Sequence, residues 1–176
     1  MDLTTLIVNL GEAIAAFQSL AGGVAFGIGL YFVYTCVSKA IKASRTPGGA
    51  DSSPAMIFTC LLVGALLLNF SGTMSGVFSS MSGEDGATYG LVAYSGASAA
   101  GKFAPALNAA LTIMSTFGWW YALKGWTMFK RASEGGGGGG AEDYAWKGMV
   151  HVLGGAAMIN IAVTLDAFKE TLGLTF

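Results

Sequence analysis

Four stretches of this chain carry no charged side chain: residues 13–38, 52–83, 103–123 and 148–165. A hydrocarbon core about 30 Å thick takes roughly 20 residues of helix to cross. Each stretch meets that length. The last does so at the short end, where Trp146 and Lys147 extend it as an interfacial aromatic and a snorkelling cation. In hydrocarbon every backbone N–H and C=O must be satisfied within the chain, and uncharged runs of this length achieve that as helices. The fold class read from the sequence is all-α, with four membrane-type helices near 13–43, 54–78, 104–132 and 143–171. Residues 3–10 read as a short separate helix lying in the interface.

Composition narrows the function classes. Charged residues are 11% of the chain against about 25% in a typical soluble domain, and the hydrophobic share of 53% is the reverse of a disordered profile. A net charge of −1 gives no overall field for nucleic acid. Two cysteines and one histidine are too few for a Cys/His metal cluster or a disulfide framework. No cationic start followed by a small-residue cleavage site is present, so no cleaved signal peptide is expected.

Helix ends are marked. Ser52-Ser53-Pro54 places serine before a proline in the first turn, and Ala104-Pro105 opens the third helix in the same way. Pro47-Gly48-Gly49 and Gly135–Gly140 are breakers, and the segment 84–102, rich in Gly, Ser and Ala, reads as a connector or a weak helical extension. Seven of the nine basic residues lie in two loops, 39–51 and 124–147, which sets both on the cytoplasmic side with both termini outside.

The two halves repeat. Gly29-Leu30-Tyr31-Phe32 and Lys42-Ala43-Ser44 align with Gly118-Trp119-Trp120-Tyr121 and Arg131-Ala132-Ser133 at an offset of 89. The returning helices match through Gly64-Ala65 and Gly155-Ala156, with Asn69 and Asn160 following at a shift of two. The organisation is therefore a helical hairpin over 1–83, a connector over 84–102 and a second hairpin over 103–176.

Small-residue spacings, Gly23 with Gly27 and Gly72 with Gly76, fit the close-packing pattern of membrane helices, and Gly29, Gly154 and Gly155 add to it. They serve either one bundle or contacts between copies. Lys39, Lys42, Arg45, Lys130 and Arg131 are the candidate functional cations. They suffice as topology determinants, and gathered over many copies they would line a lumen or meet anionic lipid headgroups. Cys36 and Cys60 lie symmetrically about the first turn; free buried thiols are the plainer reading, and a disulfide is geometrically conceivable.

Other motifs dissolve on inspection. Gly96–Lys102 has most of a phosphate-binding loop, but Phe103 stands where a magnesium-binding hydroxyl is needed and no strand precedes it. His151 has no carboxylate on its helix before Asp166, so it reads as a neutral group hydrogen-bonded to a neighbouring helix or a headgroup rather than a proton relay. One histidine and ten scattered carboxylates support no catalytic set and no metal site.

The uncharged helices, the basic loop segment Lys39-Ala40-Ile41-Lys42 and the glycine-rich turns resemble the small hydrophobic membrane proteins of IncI-type conjugation and type IVB secretion systems, the TraQ/TraR and IcmC/IcmD class. Each half also resembles a conjugative pilin, two hydrophobic helices flanking a basic loop. The resemblance implies a non-enzymatic subunit that leaves the inner membrane with bound phospholipid and polymerises with itself into a helical filament. Lys39, Lys42, Arg45, Lys130 and Arg131 would then line the lumen. It implies contacts with other type IV secretion components and passage of single-stranded DNA or relaxase. A static inner-membrane scaffold or channel of the same apparatus is the alternative, followed by a small transporter or holin-like pore. A transporter implies buried charge pairs or broken helices at the midplane, and none is legible in the sequence.

Overall fold

The structure is a computed structural model that describes residues 3–45, 53–86, 88–134 and 140–173. Among these it is all-helical, without strands. In order come α1 (Leu3–Arg45), α2 (Pro54–Leu68), α3 (Phe70–Ser82), a 3-10 segment (Ser95–Phe103), α4 (Ala104–Ser133), α5 (Ala141–Ile159) and α6 (Ile161–Thr171). The turns Pro47-Gly48-Gly49 and Gly135–Gly139 lie outside the described residues.

The short interfacial helix expected at 3–10 is not separate from the helix expected at 13–43. No proline stands between Leu3 and Arg45 to break the backbone ladder, Asn9 is accommodated within it, and α1 runs for 43 residues, about 65 Å at 1.5 Å per residue. Among the described residues it is the one helix that by length and composition could by itself cross a membrane; up to three could if each bent pair is one span.

Those bent pairs correct the second and fourth expected helices. The 54–78 helix breaks at Asn69, where α2 and α3 meet at 101°, and the 143–171 helix breaks at Asn160, where α5 and α6 meet at 91°. Broken helices, thought absent, are therefore present twice and at equivalent places. Asparagine competes with the helix by bonding local backbone. Asn69 Oδ1 accepts from Gly72 N at 3.3 Å, and Asn160 Nδ2 donates to the Ala156 carbonyl at 2.9 Å. Four residues on, a threonine reaches back seven positions in both halves. Thr73 Oγ1 donates to the Leu66 carbonyl at 2.7 Å, and Thr164 Oγ1 to the Ala157 carbonyl at 2.9 Å. The carbonyls freed by each bend are thus satisfied inside the segment, which a bend in an apolar setting requires.

Within each half the helices run antiparallel and cross on glycine. A Cβ on Gly29 would sit 2.9 Å from the Gly64 carbonyl, and one on Gly118 would sit 2.9 Å from the Gly155 carbonyl. Gly125 and Gly148 form a second crossing seven residues further along α4 and α5, the spacing of a left-handed seam. At the matching level of the first half stand Cys36 and Cys60. The close Gly29–Gly64 approach leaves their Cα atoms 6.1 Å apart, and they are joined as a disulfide closing a 24-residue separation. The free-thiol reading is corrected accordingly.

α1 and α4 lie side by side and parallel. Gln18 Nε2 donates to Thr116 Oγ1 at 3.0 Å while Gln18 Oε1 accepts from Gly90 N at 2.8 Å, both in the buried seam. Trp119 is fully buried at the centre, edge-on to Phe70 with ring centroids 5.5 Å apart and against Tyr89 at 4.4 Å. α3 swings across so that Phe70, Met74 and Phe78 fill the space between the halves. The connector is pinned rather than loose. Its alternate amides at Gly90, Val92 and Tyr94 donate to Gln18, Thr112 and Asn108 side chains at 2.8, 2.9 and 3.1 Å. An extended segment points alternate amides the same way, so three side chains stand in for a neighbouring strand.

Candidate basic and apolar groove

The parallel packing of α1 and α4 brings their C-terminal ends together, and both end in cations. This is favourable placement, since the last turn of a helix carries the negative end of its dipole. Lys42 and Arg45 occupy the last turn of α1, and Lys130 and Arg131 the last turn of α4. Glu134, at the cap of α4, links the two helices. Its Oε1 is 3.0 Å from Lys39 Nζ and its Oε2 is 2.9 Å from Lys130 Nζ. Lys130, only 17% exposed, also lies 5.0 Å from the centroid of the Phe32 ring, within cation–π range.

Below these charges a groove of about 510 Å³ opens between the helices, with Tyr31 and Phe32 on one wall and Lys130, Arg131 and Glu134 at its charged end. Apolar walls under a cationic rim can hold an amphiphile with an anionic head. Of the five expected cations, Lys39, Lys130 and Arg131 gather at Glu134 and the groove. Lys42 and Arg45 continue the cationic surface along α1, exposed. Glu142 and Asp143 open α5, and Asp143 takes up Lys147 at 2.6 Å.

Glu134 sets the charge balance of the groove. Burial opposes its ionisation, but hydrogen bonds from Lys130 and Lys39, and their charge, prevail and hold its carboxyl below the ordinary carboxylate value. A carboxyl depressed in this way is ionised and tied throughout the neutral range, and the tie is lost only as pH falls through that lowered value. Partly exposed pairs of this kind contribute about 0–1 kcal/mol, so Glu134→Gln should leave folding nearly intact while freeing Lys39 and Lys130. The expected result is a higher ratio of phosphatidylglycerol to phosphatidylcholine retained from mixed nanodiscs, read by native mass spectrometry. An unchanged ratio would show that Glu134 does not compete for the headgroup position.

Within one molecule the expected packing glycines divide, the others being left for the contacts between copies that the spacing equally allows. Of those expected, Gly23, Gly27, Gly76 and Gly154 face open space, and Gly72 meets only its own Asn69 cap. Gly155 packs on another helix, 2.8 Å from Ala122 N. Gly29, also expected, packs closely on Gly64, and Gly118, Gly125 and Gly148 make the other close crossings; the signal for these is their pairing across each turn rather than a four-residue spacing. His151 bonds its own helix, Nδ1 lying 2.7 Å from the Lys147 carbonyl, and stacks on Tyr121 across the hairpin. Gln18, Thr112 and Thr116 carry no signal in the sequence, and Phe32 enters it only as part of the repeat; each is an ordinary residue type whose role depends on the other half of the chain.

Among the described residues no group of three or more His, Cys, Asp or Glu is placed to hold a metal ion. No protein family, curated protein or solved structure matches the chain.

Proposed function

We propose that the chain is a non-enzymatic structural subunit of a bacterial conjugation apparatus, most specifically the subunit of a conjugative pilus that polymerises with phospholipid. The observation that carries this reading is the meeting of both basic helix ends over an apolar groove, at one end of a tandem hairpin. Many copies would turn that end into a continuous cationic lining able to hold phospholipid headgroups and offset the phosphates of passing single-stranded DNA. Along the flank, Phe17, Leu20, Phe26, Leu30 and Tyr34 of α1 stand exposed, a surface suited to lipid or to other copies and not to water. The subunit would enter the inner membrane with both hairpin turns cytoplasmic and later appear outside the cell.

The bends at Asn69 and Asn160 favour a second reading, a component that stays in the inner membrane, either a small transporter or the static scaffold or channel of the same apparatus. Helices broken at corresponding places of two repeats are a mark of membrane proteins that handle solutes at mid-depth. Beside Asn160 lies a cavity of about 230 Å³ bordered by Asp85, Thr88 and Ser115.

Intact-mass analysis of filaments sheared from donor cells, with lipid extracted from the same sample, separates the two. The pilus reading expects this chain as the dominant species with near-stoichiometric phospholipid. Recovery only from the inner-membrane fraction would remove that reading and leave the second.

A further inference from the structure

The two halves are related by an operation that can be repeated. Sequence equivalence between α1 and α4 runs at an offset of 89, but contact between them runs at 98 for Gln18 with Thr116 and at 95 for Lys39 with Glu134. The second half is therefore displaced along the first by six to nine residues, about 9–14 Å of helix rise. A head-to-tail contact with an axial shift does not close into a ring; repeated, it generates a filament.

Transposing the contact by one step identifies two further faces. α1 uses Gln18 and Phe32 against α4; their equivalents on α4 are Leu107 and Tyr121. α4 uses Ala109, Thr116 and Lys130 against α1; their equivalents on α1 are Leu20, Gly27 and Ile41. Leu107, Tyr121, Leu20 and Ile41 are 38%, 48%, 52% and 49% exposed, and Gly27 has nothing within 4 Å of its Cβ position. Both transposed faces are thus exposed and mainly apolar, Tyr121 keeping its stack on His151, and they complement each other in size. The buried Gln18–Thr116 pair becomes Leu107 over Gly27, a large side chain over a hole.

We propose that the α4 face carrying Leu107 and Tyr121 docks on the α1 face carrying Leu20, Gly27 and Ile41 of a second copy of this chain, repeating between molecules the contact already made within one. This rests on the reading of the chain as a self-polymerising subunit and names the interface it would use. The joint is mainly apolar and lacks the counterparts of the Gln18 and Glu134 ties, Arg45 standing where Glu134 does, so it forms where water is excluded and is reversible by detergent.

The test uses the full chain with its native cysteines. Benzoylphenylalanine replaces Tyr121, and light- and heavy-isotope copies are co-expressed and irradiated in membranes and, where present, in sheared filaments. The expected result is a ladder of multimers whose cross-linked peptides join residue 121 of one isotope to the 20–41 region of the other. Leu20→Glu, at a side chain that is 52% exposed and does not border the groove, should abolish the ladder without loss of the folded monomer. Adducts to lipid alone, or joining residue 121 to residue 121 of another copy, would overturn the interface. Filaments made of this chain with cross-links elsewhere would overturn the interface and keep the pilus reading. Cross-links at 20–41 in membranes without any filament would keep the interface and remove the pilus.

Discussion

Gly118→Leu is expected to disrupt the C-terminal half of the molecule, with a loss beyond the roughly 1–3 kcal/mol of ordinary overpacking. A Cβ at this position would lie 2.7 Å from Ile159 N and 2.9 Å from the Gly155 carbonyl. Both are backbone atoms, so no side-chain rotation can relieve the clash; α4 and α5 must separate. Separation would also uncover Trp119 and Ile159, both buried in the common core, and so reach the first half. Gly154→Ala, one residue from the reciprocal glycine, meets nothing within 4 Å, and replacing glycine by alanine inside a helix removes a cost of about 0.5–1 kcal/mol. The two substitutions should therefore have opposite signs. Equilibrium denaturation in detergent, followed by tryptophan fluorescence, measures both. Wild-type stability for Gly118→Leu, or comparable damage from Gly154→Ala, would refute the glycine crossing.

This contrast also marks where the sequence is legible. The helix read at 104–132 is α4 (Ala104–Ser133), although it is not among the helices apolar enough to cross a membrane, and Pro54 opens α2 as its position before an apolar run suggests. These features are local: a proline or a charge-free run acts on its own segment. Ser53, by contrast, makes no side-chain cap bond, so the terminus rests on proline alone. Spacing identifies which residues share a helix face but not which face finds a partner, and this is why Gly23 and Gly27 read as packing residues yet stand open. The bends were half legible. Asn69 and Asn160 aligned in the repeat, but recognising a break required pairing each with the threonine four residues on, an unremarkable residue until the carbonyl it satisfies is known. Gln18 was hidden for a related reason: its two partners are 72 and 98 residues away.

The cationic site is legible in residue type and not in arrangement. All five cations could be named, but the carboxylate that organises three of them could not, because Glu134 acquires that role only when α1 and α4 lie parallel. Its presence shapes the second large expected effect, reversal of the basic end to glutamate. If the basic end holds headgroups as proposed, each free cation contributes about 1 kcal/mol; Lys42, Arg45 and Arg131 then supply about 3 kcal/mol, over a hundredfold in binding, and reversing all five cations, Lys39 and Lys130 included, removes at least that before repulsion is added. Phospholipid retention and DNA transfer should both fall to background. The five-fold variant also sets new carboxylates beside Glu134, so Lys42→Glu with Arg45→Glu and Arg131→Glu is the cleaner form. It leaves the Lys39–Glu134–Lys130 link in place and touches only exposed side chains. Helix insertion, checked by resistance to alkaline extraction, should be unchanged, and Lys102→Glu in the connector should transfer normally. If the triple variant retains lipid and transfers DNA at the wild-type level, the basic end is a topology signal alone and lines nothing.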